Sequence, residues 1–237
     1  MPRRPRQAPG GIVYHVLNRA VARLPLFEKP TDFEAFLRVL AETLEKFPMR
    51  ILSFVLMPNH WHFVLWPEHD GELSTFCRRL TNTHSMRWHA HYHTSETGHI
   101  YQGRFKSFPV ESDDPLYTLC RYVELNPLRA KLIPRTEQWQ WSSLWRRIHG
   151  DDVPRSFLSP WPVPLPDDWV QRIPGTPYLF PKNGYGVTRI PPVCLADACY
   201  AKARSSNSKK NPGRPVDVHA WQGFAGSGEL ADQPGIA

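Results

Sequence analysis

Met57-Pro58-Asn59-His60-Trp61-His62-Phe63-Val64-Leu65-Trp66 reads as a turn dipeptide feeding a half-buried β-strand. Successive strand residues point to opposite faces, so Trp61, Phe63 and Leu65 go one way and His60 and His62 the other. Two imidazoles side by side on the open face of a strand, backed by an aromatic core face, form a ready pair of metal ligands. They can equally be two polar outward positions, and the His-x-His spacing alone does not choose between these readings.

Outward from that strand, Arg50 to Met57 forms a preceding strand, so the two make a hairpin through Pro58-Asn59. Before it, Phe33, Phe36, Leu37, Leu40, Leu44 and Phe47 recur at three and four residues between Thr31 and Phe47, with Thr31 or Asp32 as N-cap and Pro48 beyond the end: an amphipathic helix. Ile12 to Leu17 is a first strand. A second helix runs from Leu73 to about Tyr92, with Ser74 or Thr75 near its start. Tyr101 to Val110 is then a fourth strand whose basic residues, Arg104 and Lys106, share one face as a natural phosphate contact. The order β-α-β-β-α-β predicts an α+β ferredoxin-like sandwich, with helices on one face of an antiparallel sheet and the other face open for a ligand.

A third helix opens at Asp113-Asp114-Pro115 and buries Leu116, Leu119, Cys120 and Val123. Tyr122 and Asn126, four apart, lie along one edge of that stripe, so a phenol and a carboxamide point the same way. Arg121, Arg129 and Lys131 add positive charge around them. Two strand imidazoles and this amide would give Mg²⁺ or Mn²⁺ three protein ligands with positions left for substrate oxygens. A tyrosine beside such an ion, helped by arginines, is a nucleophile for a DNA phosphodiester. Each residue also has a plain structural reading, Tyr122 as a helix-edge aromatic and Asn126 as a cap before Pro127.

Composition narrows the partners. The 237 residues carry 29 Lys and Arg against 22 Asp and Glu, a net charge of +7, with a pI near 9.4, which favours polyanions, nucleic acid foremost. Residues 1–10 are a basic, proline-broken arm in which Arg3, Arg4 and Arg6 suit phosphate tracking. Four cysteines without a Cys-x-x-Cys pair read as reduced thiols, no apolar run has the length of a membrane span, and the expected setting is cytoplasmic. His84, His89, His91 and His93 compete as metal ligands, but on a helix they spread over a solvated end. Phe63 to Trp66 after the histidine pair excludes a hydrolytic zinc site of the His-x-His-x-Asp-His kind.

Leu56-Met57-Pro58-Asn59-His60-Trp61-His62, Gly103-Arg104-Phe105-Lys106-Ser107 and Arg121-Tyr122-Val123-Glu124-Leu125-Asn126-Pro127-Leu128-Arg129-Ala130, in this order, resemble the IS200-type single-tyrosine (HUH) transposases, and among them the REP-associated tyrosine transposases of bacteria. The resemblance spans roughly residues 10 to 172. It implies a metal-dependent single-stranded DNA endonuclease that cuts and rejoins hairpin-forming repeat elements through a covalent phosphotyrosine. His60 and His62 would be metal ligands, Tyr122 the nucleophile, Asn126 the third ligand, and the basic arm a contact to the flank of the hairpin. A bacterial, nucleoid-associated protein and a monomer in preference to a dimer follow from the same likeness. The sequence then divides into the arm (1–10), a catalytic domain (11–150), a proline- and tryptophan-rich extension packing on it (151–172) and an irregular tail (173–237), where the family pattern of a helical basic end is not met. The alternative is a domesticated DNA-hairpin binder without turnover; a nuclease that uses water in place of tyrosine is a third.

Overall fold

The computed structural model describes residues 8–95, 98–110, 113–150 and 157–169; the arginines of the arm and the tail from 173 lie outside them. Four strands, β1 (Val13–Arg19), β2 (Arg50–Met57), β3 (His60–Trp66) and β4 (Lys106–Val110), make one sheet in the order β2-β3-β1-β4. Every pairing is antiparallel. With α1 (Pro30–Lys46) between β1 and β2 and α2 (Glu72–Tyr92) between β3 and β4, the βαββαβ ferredoxin-like topology is as expected.

The apolar stripes decide the layers. Phe33, Phe36, Leu37 and Leu40 of α1 and Leu73, Phe76, Cys77 and Leu80 of α2 are buried at helical spacing. Phe36 lies 6.3 Å from Trp61 and 6.4 Å from Phe63, ring to ring, so these helices cover the aromatic face of β3. Asp32, expected as an N-cap, sits inside the first turn of α1 and accepts the Glu28 and Lys29 N–H groups through Oδ2. His84 is corrected too: it is buried on α2, its Nδ1 2.8 Å from the Tyr101 hydroxyl, and belongs to the core.

The second face of the sheet is not open. Helix α3 (Asp113–Arg129) packs over β2 and β3 there, because Leu116, Leu119, Cys120 and Val123 need an apolar surface and that face supplies one. It runs through Pro127, which would leave the Val123 carbonyl without its helical donor. The Asn126 Nδ2 replaces it, donating to Val123 O at 3.3 Å and to Tyr122 O at 3.0 Å.

β2 is an edge strand in the sheet, yet its outer side is occupied. Leu56 N–H donates to Trp141 O, Ser159 N–H donates to Ile51 O, and the Trp139 and Trp161 indoles donate to Leu56 O and Leu52 O. Trp139 to Trp141 ends in a turn, and the helix α4 (Ser143–Ile148) begins only after the Ser142 cap. At the other end, residues 8–11 are not free arm. Ala8 is buried, Gly10 N–H donates to Asp70, Gly11 N–H to Pro67 O, and a Cβ at Gly10 would run into the backbone of Glu68 and His69.

Candidate active site

The pairing register builds the site. Leu17 faces His62 on one side and Lys106 on the other, and Arg19 faces His60. Residues directly opposite in a ladder share a face, so His60, His62, Arg19 and Lys106 rise from the side that α3 covers. His15, two residues before Leu17 on β1, rises there as well. Its Nε2 lies 2.9 Å from His62 Nδ1, with the ring centroids 5.1 Å apart and the ring planes within 14° of parallel. Tyr122 comes down from α3 with its ring edge-on to both imidazoles, 5.9 Å from His62 and 6.1 Å from His15.

His60 has a fixed proton. Its Nδ1 is 2.7 Å from the Asn59 Oδ1, which can only accept, so Nδ1 carries the hydrogen and Nε2 keeps a lone pair. The His60 and His62 rings stand 5.1 Å apart and nearly perpendicular. Contrary to the open-face expectation, His60 and His62 are only 6% and 4% exposed and Tyr122 1%. Burial, with the nearby Arg19 charge, pulls His60 down to about 3. Burial, then the charges of His60, His15 and Arg19, holds His62 well below the usual imidazole range. Burial alone brings His15 to about 4. All three rings are therefore neutral near pH 7, the form in which imidazole binds metals.

Asn126 is wholly buried, and because its Nδ2 serves two acceptor-only carbonyls, its orientation is dictated: Oδ1 turns away from the helix backbone. That oxygen has no hydrogen-bond partner among the described residues. No group of three His, Cys, Asp or Glu side chains among them is arranged to hold a metal; the orphan carboxamide oxygen of Asn126 is a donor of another type. The donor set, two imidazole nitrogens and a buried amide oxygen, fits a divalent ion.

The basic candidates divide. Arg129 ends α3 and holds its guanidinium 5.2 Å from the Tyr122 ring centroid. Arg121 is half-buried on the same helix. Lys106 is exposed and opens β4, two strands from His62 in one cross-strand row, whereas Arg104 is exposed in the bend before it: the fourth strand is shorter than the alternation predicted. Arg3, Arg4 and Arg6 fall outside the described residues. Sequence reasoning missed His15, Arg19 and Asn59. The alternation of Val13 to Arg19 puts His15 and Arg19 on one face, but only the register with β3 shows what they meet.

The model of the family described as "Transposase IS200 like" matches residues 10–126. Over these residues the chain belongs to the IS200-like transposase family. A solved REP-associated tyrosine transposase bound to a REP hairpin is similar in fold, at 18% identity and a TM-score of 0.50 over 68% of this chain and 95% of that one. A candidate transposase from Deinococcus radiodurans R1 matches at 15% identity and a TM-score of 0.37, over 52% of this chain and 96% of that one. No curated protein matches. The family match thus ends at Asn126, the last of the candidate ligands. Among the described residues no helix is long and apolar enough to cross a membrane.

Proposed function

We propose that this transposase-family chain cuts and rejoins single-stranded DNA at hairpin-forming repeat elements, with Tyr122 as nucleophile and His60, His62 and Asn126 as ligands of Mg²⁺ or Mn²⁺. The observation that carries this reading is the convergence of Tyr122, from α3, on the histidine face of β3. A divalent ion held there would polarise the scissile phosphate and offset its developing charge. The Tyr122 oxygen bonds to phosphorus as the bond from phosphorus to the 3′ oxygen breaks, and the proton lost by the phenol is balanced by the one the 3′ oxygen gains. Arg129 brings positive charge to the phenol where negative charge develops. Rejoining is the reverse attack of a 3′-hydroxyl on the phosphotyrosine. Lys106 and Arg104, exposed along the β4 side, take the DNA backbone. Because Tyr122 is buried, a phosphate reaches it only after what lies over its hydroxyl yields, and DNA binding supplies that opening.

The test is incubation of the full chain with labelled hairpin DNA carrying single-stranded flanks, with Mn²⁺ or Mg²⁺, on a denaturing gel beside Tyr122→Phe. A metal-dependent covalent band absent from the variant is expected. Binding with neither adduct nor cleavage would mean a hairpin binder without turnover. Cleavage that survives Tyr122→Phe would make water the nucleophile and overturn the role of Tyr122.

A further inference from the structure

His15 belongs to none of the three ligand positions, yet it is 2% exposed and sits at the centre of the site. Its ring is within 14° of parallel to that of His62, edge-on to Tyr122, and 6.2 Å from the Phe108 ring of β4. Two ring nitrogens 2.9 Å apart share one hydrogen, because two N–H groups cannot face each other and two lone pairs repel. There are two arrangements. If His15 Nε2 carries the hydrogen, His62 is protonated at Nε2 and has no lone pair left to give a cation. If His62 Nδ1 carries it, His62 Nε2 is free, and His15 Nε2 is the acceptor that keeps it so.

We propose that His15 is a positioning residue, whose Nε2 accepts the His62 Nδ1–H and so holds His62 in the tautomer and ring orientation that present Nε2 to a divalent cation. The inference rests on the reading of His60 and His62 as metal ligands. It gives the two ligands matching support, Asn59 Oδ1 behind His60 and His15 Nε2 behind His62, each taking the Nδ1–H and leaving Nε2. His15 is thereby spent as an acceptor and is not itself a ligand through Nε2. Its contact with the Tyr122 ring lets the same side chain fix the distance between ligand and nucleophile.

The test uses the full chain with Mn²⁺ alone as the calorimetric probe, and long-range proton–nitrogen correlation spectra of ¹⁵N-histidine-labelled protein, metal-free and with Mg²⁺, to read the His62 tautomer. His15→Phe keeps a flat ring but cannot accept; His15→Gln places a carboxamide oxygen near the position of Nε2. For His15→Phe, Mn²⁺ affinity is expected to fall about 10–100-fold, and His62 to lose its Nδ1–H tautomer. For His15→Gln, both should stay within about threefold of the parent. Wild-type affinity in His15→Phe with His62 still protonated at Nδ1 overturns the proposal. So does wild-type protein whose His62 is protonated at Nε2 with Mg²⁺ bound, a result that stands even where His15→Phe does not fold. If the parent binds no Mn²⁺, or His62→Ala binds it equally well, the ligand reading itself has failed and the role of His15 falls with it.

Discussion

Asn126 carries two duties at once. Its Nδ2 repairs the hydrogen bonding that Pro127 breaks, and its Oδ1 is left buried and unpartnered among the described residues. Asn126→Asp separates them. A carboxylate facing the Tyr122 and Val123 carbonyls loses both donated bonds, so the metal-free protein should lose about 1–3 kcal/mol, while Mn²⁺ should recover more of the melting temperature in the variant than in the parent. Thermal unfolding in EDTA and in Mn²⁺ reads both halves, and equal metal-induced shifts would count against Asn126 as a ligand. At this scale His60, His62, Tyr122 and Asn126 were legible because their spacing has a meaning within one element, two on a strand and four on a helix. His15 was not, because its partner lies 47 residues away and only strand register brings them together. Asn59 stood in the opening stretch and reads there as a turn residue; nothing in a linear pattern says that its side chain folds back on the next ring.

The helix that carries Tyr122 is held by a buried carboxylate. Glu124 is fully buried; its Oε1 accepts the Ser143 and Ser53 hydroxyls at 2.6 Å and 3.3 Å, and its Oε2 accepts the Trp169 indole at 2.8 Å. Arg147 lies 3.7 Å away. Burial pushes the Glu124 carboxyl up, against the pull of Arg147 and of these donors. One side chain thus ties α3 to β2, to α4 and to the end of the 157–169 segment. Glu124→Leu keeps the volume roughly but strands every partner, and should cost about 3–5 kcal/mol by denaturant unfolding. Glu124→Gln, which can still accept from Trp169 while the two serine hydroxyls turn, should cost much less; equal losses would mean that packing alone seats α3. Element types and order followed from hydrophobic periodicity, but the covered second face did not. The stripe of Leu116 to Val123 announces that α3 buries one side, and nothing in it names the face that receives it.

Across the whole molecule, His15, His60, His62 and His84 are all buried with pKa values lowered chiefly by burial, to about 4 for His15 and about 3 for His60 and His84. As the pH falls below about 6.5, the unfolded chain binds protons that the folded chain refuses. The stability these groups contribute is complete above that pH and is lost progressively as the pH falls toward the folded values. The raised Glu124 works in the opposite sense, one group against four. Calorimetry should show a melting temperature lower at pH 5.0 than at pH 7.5 by at least about 5 °C, and a flat profile would mean that the histidines are not held neutral. The basic arm joins the body at Ala8, beside Pro67 to Gly71, whereas His60 opens the opposite end of β3, about 20 Å along the strand. Arginines within about 17 Å of Ala8 suit a flank better than the cut itself. Replacing Arg3, Arg4 and Arg6 by Ala should weaken hairpin binding and lower the salt slope by about 2–3, with the adduct-forming rate at saturating DNA unchanged; a slower rate would bring the arm to the chemistry. The occupied outer side of β2 bears on dissection of the protein. The stretch that matches the family stops at Asn126, but the residues that close the sheet, Trp139 to Ser142 and Leu158 to Trp161, come after it. A fragment cut to 10–126 would present a bare edge strand and a Phe33 ring stripped of Trp141, a template for inclusion bodies.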